Sequence, residues 1–348
     1  MARILYGLCG EGLGHASRSR ILIHYLKQKG HEVFIVAGGK AYHYLSREFE
    51  QIEQIESPRF EYKGNQVRLF YSCLNMLYTT IAKTPTSFRR VRAIIRDFKP
   101  DILITDSEPI SHVAARLHQI KRVSIDNPQA LLHRTYTVPL GEFVPWLTLL
   151  IALKVFMYGA DKYLIYDFSD KTSKNKTVMF FKPLIQEGIR KNHPTTKDHI
   201  FVYQTSQSMA FLCDILKHFD ETFIVYGFNK THTDGNIIYK SFNDDEFYTD
   251  IATCKAVITN GGFTVISEAL YLKKPICSLP IRHQFEQVLN GQCIEQLGFG
   301  EYHLMVDEQI LRTFFANLER YQHNLQGYNP GKQDEILKHI EQEIDCLL

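Results

Sequence analysis

Short apolar runs alternate with amphipathic stretches along almost the whole chain. Arg3-Ile4-Leu5-Tyr6-Gly7-Leu8 is a run suited to a buried parallel strand. After a glycine-rich turn, Ile21, Leu22, Tyr25 and Leu26 recur at the spacing of one helix face. Glu32–Val36, Asp101–Thr105, Arg122–Ile125 and Lys162–Tyr166 read as further strands, with helical segments such as Phe88–Phe98 between them. The pattern restarts at His199–Tyr203, Glu221–Tyr226 and Ala256–Thr259. Strands alternating with helices predict an α/β protein, with parallel sheets covered by helices on both faces. Phe181–Lys197 holds two prolines and mixed charges and reads as a linker. That divides the chain into domains 1–180 and 181–330. A last helix within 331–348 places Ile336, Ile340, Ile344 and Leu347 on one side.

Composition sets bounds on this picture. At 348 residues the chain is long enough for two ordinary cores. Hydrophobic content of 45% with 22% charged residues is that of a soluble globular protein, and a net charge of +2 gives no global argument for nucleic acid. Seven cysteines without a C-x-x-C pair argue against a disulfide framework or zinc ribbon and fit a reducing cytosol. No signal peptide is evident, so the sequons at Asn175 and Asn229 read as accidental.

The densest chemistry lies in residues 260–290. They read as a strand end, a glycine turn, a helix carrying Glu268, a short strand, a proline and a polar loop opening another helix. Gly261 and Gly262 follow Ala256-Val257-Ile258, so the chain turns where a helix N-terminus begins. Such an end offers unpaired N–H groups and a partial positive charge to a phosphate. Glu268 accepts hydrogen bonds only, which suits two ribose hydroxyls; the bland reading is an ordinary turn with a surface glutamate. At the other end of the chain, Gly10-Glu11-Gly12-Leu13-Gly14-His15 invites a dinucleotide reading. That reading fails because the third glycine of G-x-G-x-x-G falls at His15, too large for the helix–strand contact, so neither NAD nor FAD is expected.

Together the two segments resemble the signatures of GT-B glycosyltransferases. They are similar to the undecaprenyl-precursor N-acetylglucosaminyltransferase, to the UDP-glucuronosyltransferase-like group and to the teichoic acid biosynthesis glycosyltransferases. The resemblance implies two Rossmann-like domains facing a central cleft, the N-terminal one taking the acceptor and the C-terminal one the nucleotide-sugar. It also implies a C-terminal helix crossing back to the first domain. By this likeness Asn260, Gly261, Gly262, Phe263 and Thr264 meet the diphosphate, and Glu268 meets the ribose. Glu286 and Gln287 meet the sugar, His283 is placed with the donor-binding residues, and Phe242 meets the base, although an aromatic there is equally core. Asn260 stands where relatives often carry His or Arg, and brings no charge. Gly12 and Gly14 let substrate approach the backbone. Thr205 and Ser206, in a run without glycine, either reach the phosphates through their side chains or form an N-cap.

A base must take the proton of the acceptor hydroxyl, and His15 is suited to this near neutrality. Asp106, and behind it Glu108, are candidates to orient the ring; Glu11 is the rival base, and a helix-start histidine bonded to backbone is the structural alternative. Glu108, Asn127 and His133, with Asp126, are placed on the acceptor side. The resemblance implies inversion without a metal, and no Asp-x-Asp motif is present. No cofactor is expected, the nucleotide-sugar being a substrate. The apolar run Phe143–Tyr158, about sixteen residues, is shorter than the roughly 20 a membrane span requires. With the basic helix bearing Arg89, Arg90, Arg92 and Arg96 it reads in two ways. It is either a buried core helix beside a solvated basic face, or a seat on an anionic membrane for a lipid-linked acceptor. The expected activity is transfer from a UDP-linked donor to a glycan or lipid-linked acceptor in envelope polysaccharide synthesis, on the cytoplasmic side. Alternatives are a non-catalytic nucleotide-sugar-binding subunit or a UDP-sugar 2-epimerase, whose Gly-Thr-Arg-Pro-Glu opening is absent.

Overall fold

The computed structural model describes residues 1–10, 12–56, 84–204 and 211–348. Its first half is a sheet of β1 (Arg3–Leu8), β2 (Glu32–Gly38), β3 (Ile52–Ile55), β4 (Ile102–Asp106), β5 (Lys121–Asp126), β6 (Lys162–Tyr166) and β7 (Val178–Phe181). The order is β3-β2-β1-β4-β5-β6-β7, and every pairing is parallel. Helices α1 (Gly14–Gln28), α2 (Gly39–Leu45), α3 (Thr84–Phe98), α4 (Pro109–Leu117) and α5 (Phe143–Ile151) flank it. Period-two alternation explains why both faces are covered. Leu5 packs with Val91, Ile95 and Ile110 of α3 and α4. Ile4, Tyr6 and Leu8 instead join Leu22, Ile23 and Leu26 of α1.

The second half repeats the plan with β8 (His199–Tyr203), β9 (Thr222–Tyr226), β10 (His232–Asp234), β11 (Ile237–Tyr239), β12 (Ala256–Thr259), β13 (Ile276–Ser278) and β14 (Gly300–Tyr302). Their order is β10-β11-β9-β8-β12-β13-β14, parallel except for the β10–β11 edge hairpin. Its helices are α6 (Glu187–Lys191), α7 (Leu212–Leu216), α8 (Asp244–Thr253), α9 (Phe263–Tyr271), α10 (Phe285–Gln296), α11 (Glu308–Ala316) and α12 (Leu318–Gln326). A final helix, α13 (Gln333–Asp345), buries Leu337, Ile340 and Ile344 in the core that contains α1. Tyr25 donates to Glu341 at 2.6 Å, and Lys162 pairs with Glu343 at 2.6 Å, so α13 has crossed back to the first sheet. The chain therefore passes between the halves twice, after β7 and before α13. The two crossings touch where the Ile185 N–H donates to Gln333 at 2.8 Å.

Two features depart from expectation. Strands β3, β10 and β11 are short and lie at or near sheet edges, where mixed sequences suffice. The run 143–158 is not a core helix. It forms α5 and one π turn (Ala152–Phe156) and leaves Phe143, Val144, Leu147, Ile151, Val155 and Phe156 exposed, with Leu140 beside them. No helix among the described residues is long and apolar enough to cross a membrane.

Candidate active site

Open α/β sheets bind ligands beyond the carboxyl ends of their strands, and here those ends of the two sheets face each other. On the first wall the chain leaves β1, passes Gly12 in a left-handed conformation (φ 76°) and enters α1 with His15 in its first turn. The Nδ1 of His15 lies 2.8 Å from Oδ1 of Asp106, the last residue of β4. Asp106 is buried and well supplied with donors. Arg18 gives Nε to Oδ2 at 2.9 Å and Nη2 to Oδ1 at 2.6 Å. Ser19, which accepts from the Tyr6 hydroxyl, donates to Oδ2 at 3.2 Å. Burial alone would raise the Asp106 pKa, yet Arg18 and His15 hold it down to about 2. The next strand ends in Asp126, which accepts from Ser124 and the Gln129 N–H, both at 3.0 Å. Burial first, then the Asp106 charge, push its pKa up to about 6. Nδ1 of His15 also lies 2.7 Å from Nη2 of Arg18; in the tautomer that gives Nδ1–H to Asp106, Nε2 carries a lone pair, the arrangement of a general base.

The second wall is the β12–α9 turn. Gly261 has φ 86°, and a Cβ there would lie 2.8 Å from the Ser278 hydroxyl and 2.9 Å from the Gln287 carbonyl, so only glycine fits. Gly262 is the N-cap of α9; among the described residues no side chain caps the helix, and a Cβ on Gly262 would meet nothing within 4 Å. The first-turn N–H groups of this nine-residue helix are thus without a side-chain cap among those residues. The walls meet at Gly14, whose Cβ would lie 2.5 Å from the Thr264 hydroxyl. A further seam is polar: the Thr137 N–H and carbonyl bond the Gln292 side chain at 3.0 and 2.9 Å.

The structure brings His15 to Asp106 and Gly14 to Thr264, with Gly12 in the turn before α1 and Gly261 and Gly262 in the turn before α9. Glu286, half exposed at the start of α10, lies close enough to interact electrostatically with Arg18. Glu268 is buried, and the Gln186 amide donates to it at 2.9 Å. Tyr248 in turn donates to Gln186 at 3.0 Å. Burial, opposed by that amide bond, raises the Glu268 pKa to about 7. Gln287 accepts from the Ile281 N–H at 2.9 Å, and His283, at φ 67°, gives its N–H to Glu142 at 3.0 Å. These bonds shape the 281–287 loop. Phe242 is exposed and leans on Phe247 with ring centroids 5.1 Å apart.

Other expected residues do different work. Glu108 does not orient His15. Its carboxylate caps α4, accepting from Ile110 at 2.8 Å and Ser111 at 2.6 Å, because the helix start is the nearest set of unpaired donors. Phe263 does not face the turn; it stacks on Phe168 of the first half at 4.7 Å, since the interface there is aromatic. Asn260 is buried and donates to Gln204 at 2.7 Å and to the Leu279 carbonyl at 3.3 Å, bracing the turn from behind. Asn127 is buried with its amide on the Tyr166 carbonyl at 3.2 Å. His133 sits edge-on to Phe180 with its pKa lowered by burial and Lys171. Glu11, Thr205 and Ser206 lie outside the described residues. Sequence reasoning passed over Arg18, Gln186 and Glu142; only Arg18 left a signal, three positions after His15 on the same helix face.

Comparison with known proteins bears on the fold and the family. An uncharacterized glycosyltransferase of Methanosarcina mazei is 26% identical over 331 residues, covering 86% of this chain and 84% of the relative. A UDP-N-acetylglucosamine–N-acetylmuramyl-(pentapeptide) pyrophosphoryl-undecaprenol N-acetylglucosamine transferase of Bacillus cereus is 23% identical over 48% of this chain and 55% of its own length. Among solved structures, spinosyn forosaminyltransferase SpnP superposes with a TM-score of 0.68 at 13% identity, over 99% of both chains. MurG of Acinetobacter baumannii gives 0.64 at 12% identity, over 98% of this chain and 100% of its own. Those likenesses establish the GT-B fold. The family model described as glycosyl transferase family 1 matches residues 2–319, nearly the whole chain, and the chain belongs to that family of glycosyltransferases.

Proposed function

We propose that this enzyme transfers a sugar, with inversion and without a metal, from a UDP-linked donor to a lipid-linked or glycan acceptor. The observation that carries the reading is the facing pair of walls: an imidazole fixed by a buried carboxylate opposite an uncapped helix N-terminus, in contact through Gly14 and Thr264. The donor diphosphate docks on the N–H groups of α9, the ribose on Glu268, and the sugar against the 283–287 loop. Nε2 of His15 takes the acceptor hydroxyl proton as the new bond forms at the anomeric carbon. The bond to the diphosphate breaks on the opposite face, and the leaving charge falls on the helix end. Asp106, already ionised, stabilises the imidazolium. The acceptor is lipid-linked in the printed name of the Bacillus cereus relative, and the apolar face of α5 gives this chain a means of resting on a membrane to meet one. Thermal shift against UDP-, GDP- and dTDP-sugars tests the donor site. A UDP-sugar raising Tm well above the others is expected, and no response to any of them would remove the proposal.

A further inference from the structure

We propose that Arg18 is a positioning residue that decides which ring nitrogen of His15 carries the proton, and that Phe263 at the start of α9 helps hold it there. The inference rests on the reading of His15 as base. Arg18 is 4% exposed, one turn along α1 from His15. Its Nη2 lies 2.7 Å from His15 Nδ1, and Asp106 Oδ1 lies 2.8 Å from that same nitrogen. The two contacts make opposite chemical demands. The carboxylate accepts only from an Nδ1–H; the guanidinium donates only to an Nδ1 lone pair. In the first tautomer Nε2 is a base. In the second it carries the hydrogen and takes no proton from an acceptor.

What settles the contest is how firmly Arg18 is spent on Asp106. Its two bonds to both carboxylate oxygens fix the fork, and two rings flank it, Tyr166 and Phe263, each with its centroid 5.6 Å from the guanidinium carbon. Tyr166 ends β6 of the first half; Phe263 begins the helix assigned to the leaving diphosphate. The tautomer is thereby tied to the seating of the donor helix. The charged and titratable groups around the pair are Asp106 from β4, Asp126 from β5, Tyr6 from β1, Tyr166 from β6 and Glu286 from α10. The carboxylates among them favour a charged ring, and Arg18 is the cation set against them.

The test is nitrogen NMR of the full-length protein with ring-labelled histidine, the His15 signals being identified by their loss in His15→Gln. Wild type is expected to show hydrogen on Nδ1. In Arg18→Gln the midpoint of the His15 titration should rise by about one pH unit. The acidic limb of UDP release from the tightest-binding UDP-sugar, with water taking the sugar and giving its proton to His15, should rise with it. A merely structural role would lower the rate evenly across pH. Arg18→Lys keeps charge but loses the fork, and should leave the midpoint in place while mixing the tautomers. Should Arg18→Gln fail to fold, Arg18→Lys and Phe263→Leu decide the matter, the latter with a smaller rise in midpoint. An unmoved midpoint in Arg18→Gln, or a wild-type tautomer in both of the other variants, overturns this inference alone. Sugar transfer surviving His15→Ala sinks the base assignment instead, because the spectra read the ring proton whatever its use.

Discussion

Replacing Glu268 by Gln should make the protein more stable and worse at binding its donor. Without ligand, Glu268 is a buried carboxylate supported by a single amide bond, and its pKa rises from 4.5 to about 7. At about 1.4 kcal/mol per pH unit, that rise means the ionised side chain costs the folded state about 3 kcal/mol. The sign follows from linkage. Between pH 4.5 and 7 the folded protein holds a proton that the unfolded chain has released. Stability from this group is therefore complete below about pH 4.5 and is lost as pH climbs through 7. Glu268→Gln carries no charge to bury and escapes the penalty. Its Tm should exceed wild type by about 4 °C at pH 8, since at about 2.1 cal/mol/K of unfolding entropy per residue each kcal/mol shifts Tm by about 1.4 °C in a 348-residue chain, and should come close to wild type at pH 4.5. Donor binding should move the other way. Two ribose hydroxyls bonded to a carboxylate contribute about 2 kcal/mol, so Kd measured by calorimetry at pH 8 should weaken about 30-fold. Wild-type affinity should also strengthen as pH rises from 6 to 8, while that of the variant stays flat. A Glu268→Gln protein with unchanged Tm at pH 8 would refute the burial cost, and unchanged Kd would refute the ribose assignment.

His15→Ala should lower transfer by about 10²–10⁴-fold with donor Kd retained, by rate assay and calorimetry; a loss under tenfold would point to another base. Asp126→Asn should stabilise the protein at pH 8 by about 1–3 kcal/mol and little at pH 4, because the Asp126 pKa is raised from 3.8 to about 6 and the stability this group gives is lost as pH climbs between those two values. Urea unfolding at the two pH values checks this. Wild type should float with phosphatidylglycerol vesicles, and the double replacement Leu147→Ser with Ile151→Ser should reduce the bound fraction at least tenfold at unchanged Tm; wild type remaining in the pellet would end the membrane reading.

Much of the fold was legible because its strands are buried on both faces. Arg3–Leu8, Lys162–Tyr166, His199–Tyr203 and Ala256–Thr259 appear at their expected bounds, each an apolar run that nothing else explains. Strand β3, Ile-Glu-Gln-Ile, and the β10–β11 hairpin were missed because edge strands need only half a buried face. Local signals also reached the turns of the candidate site: a Cβ would be crowded at Gly261 and at Gly14, and none of the described residues lies within 4 Å of one at Gly262. Partners distant in sequence were beyond reach. The Glu108 cap, to N–H groups two and three residues on, was a local signal passed over, whereas the spacing could not say that Phe263 plugs the opposite half. Nor could it say that Gln186, from the presumed linker, would hold Glu268.

The double passage of the chain between the halves carries a mechanical consequence. A body tethered once is free to swivel in any direction. Tethered at two adjoining points, with Pro183 and Pro330 stiffening each strand and Gln333 tying them together, it pivots about the line through both. Any opening about that line would part Gly14 from Thr264 and lift Phe263 off Arg18 together.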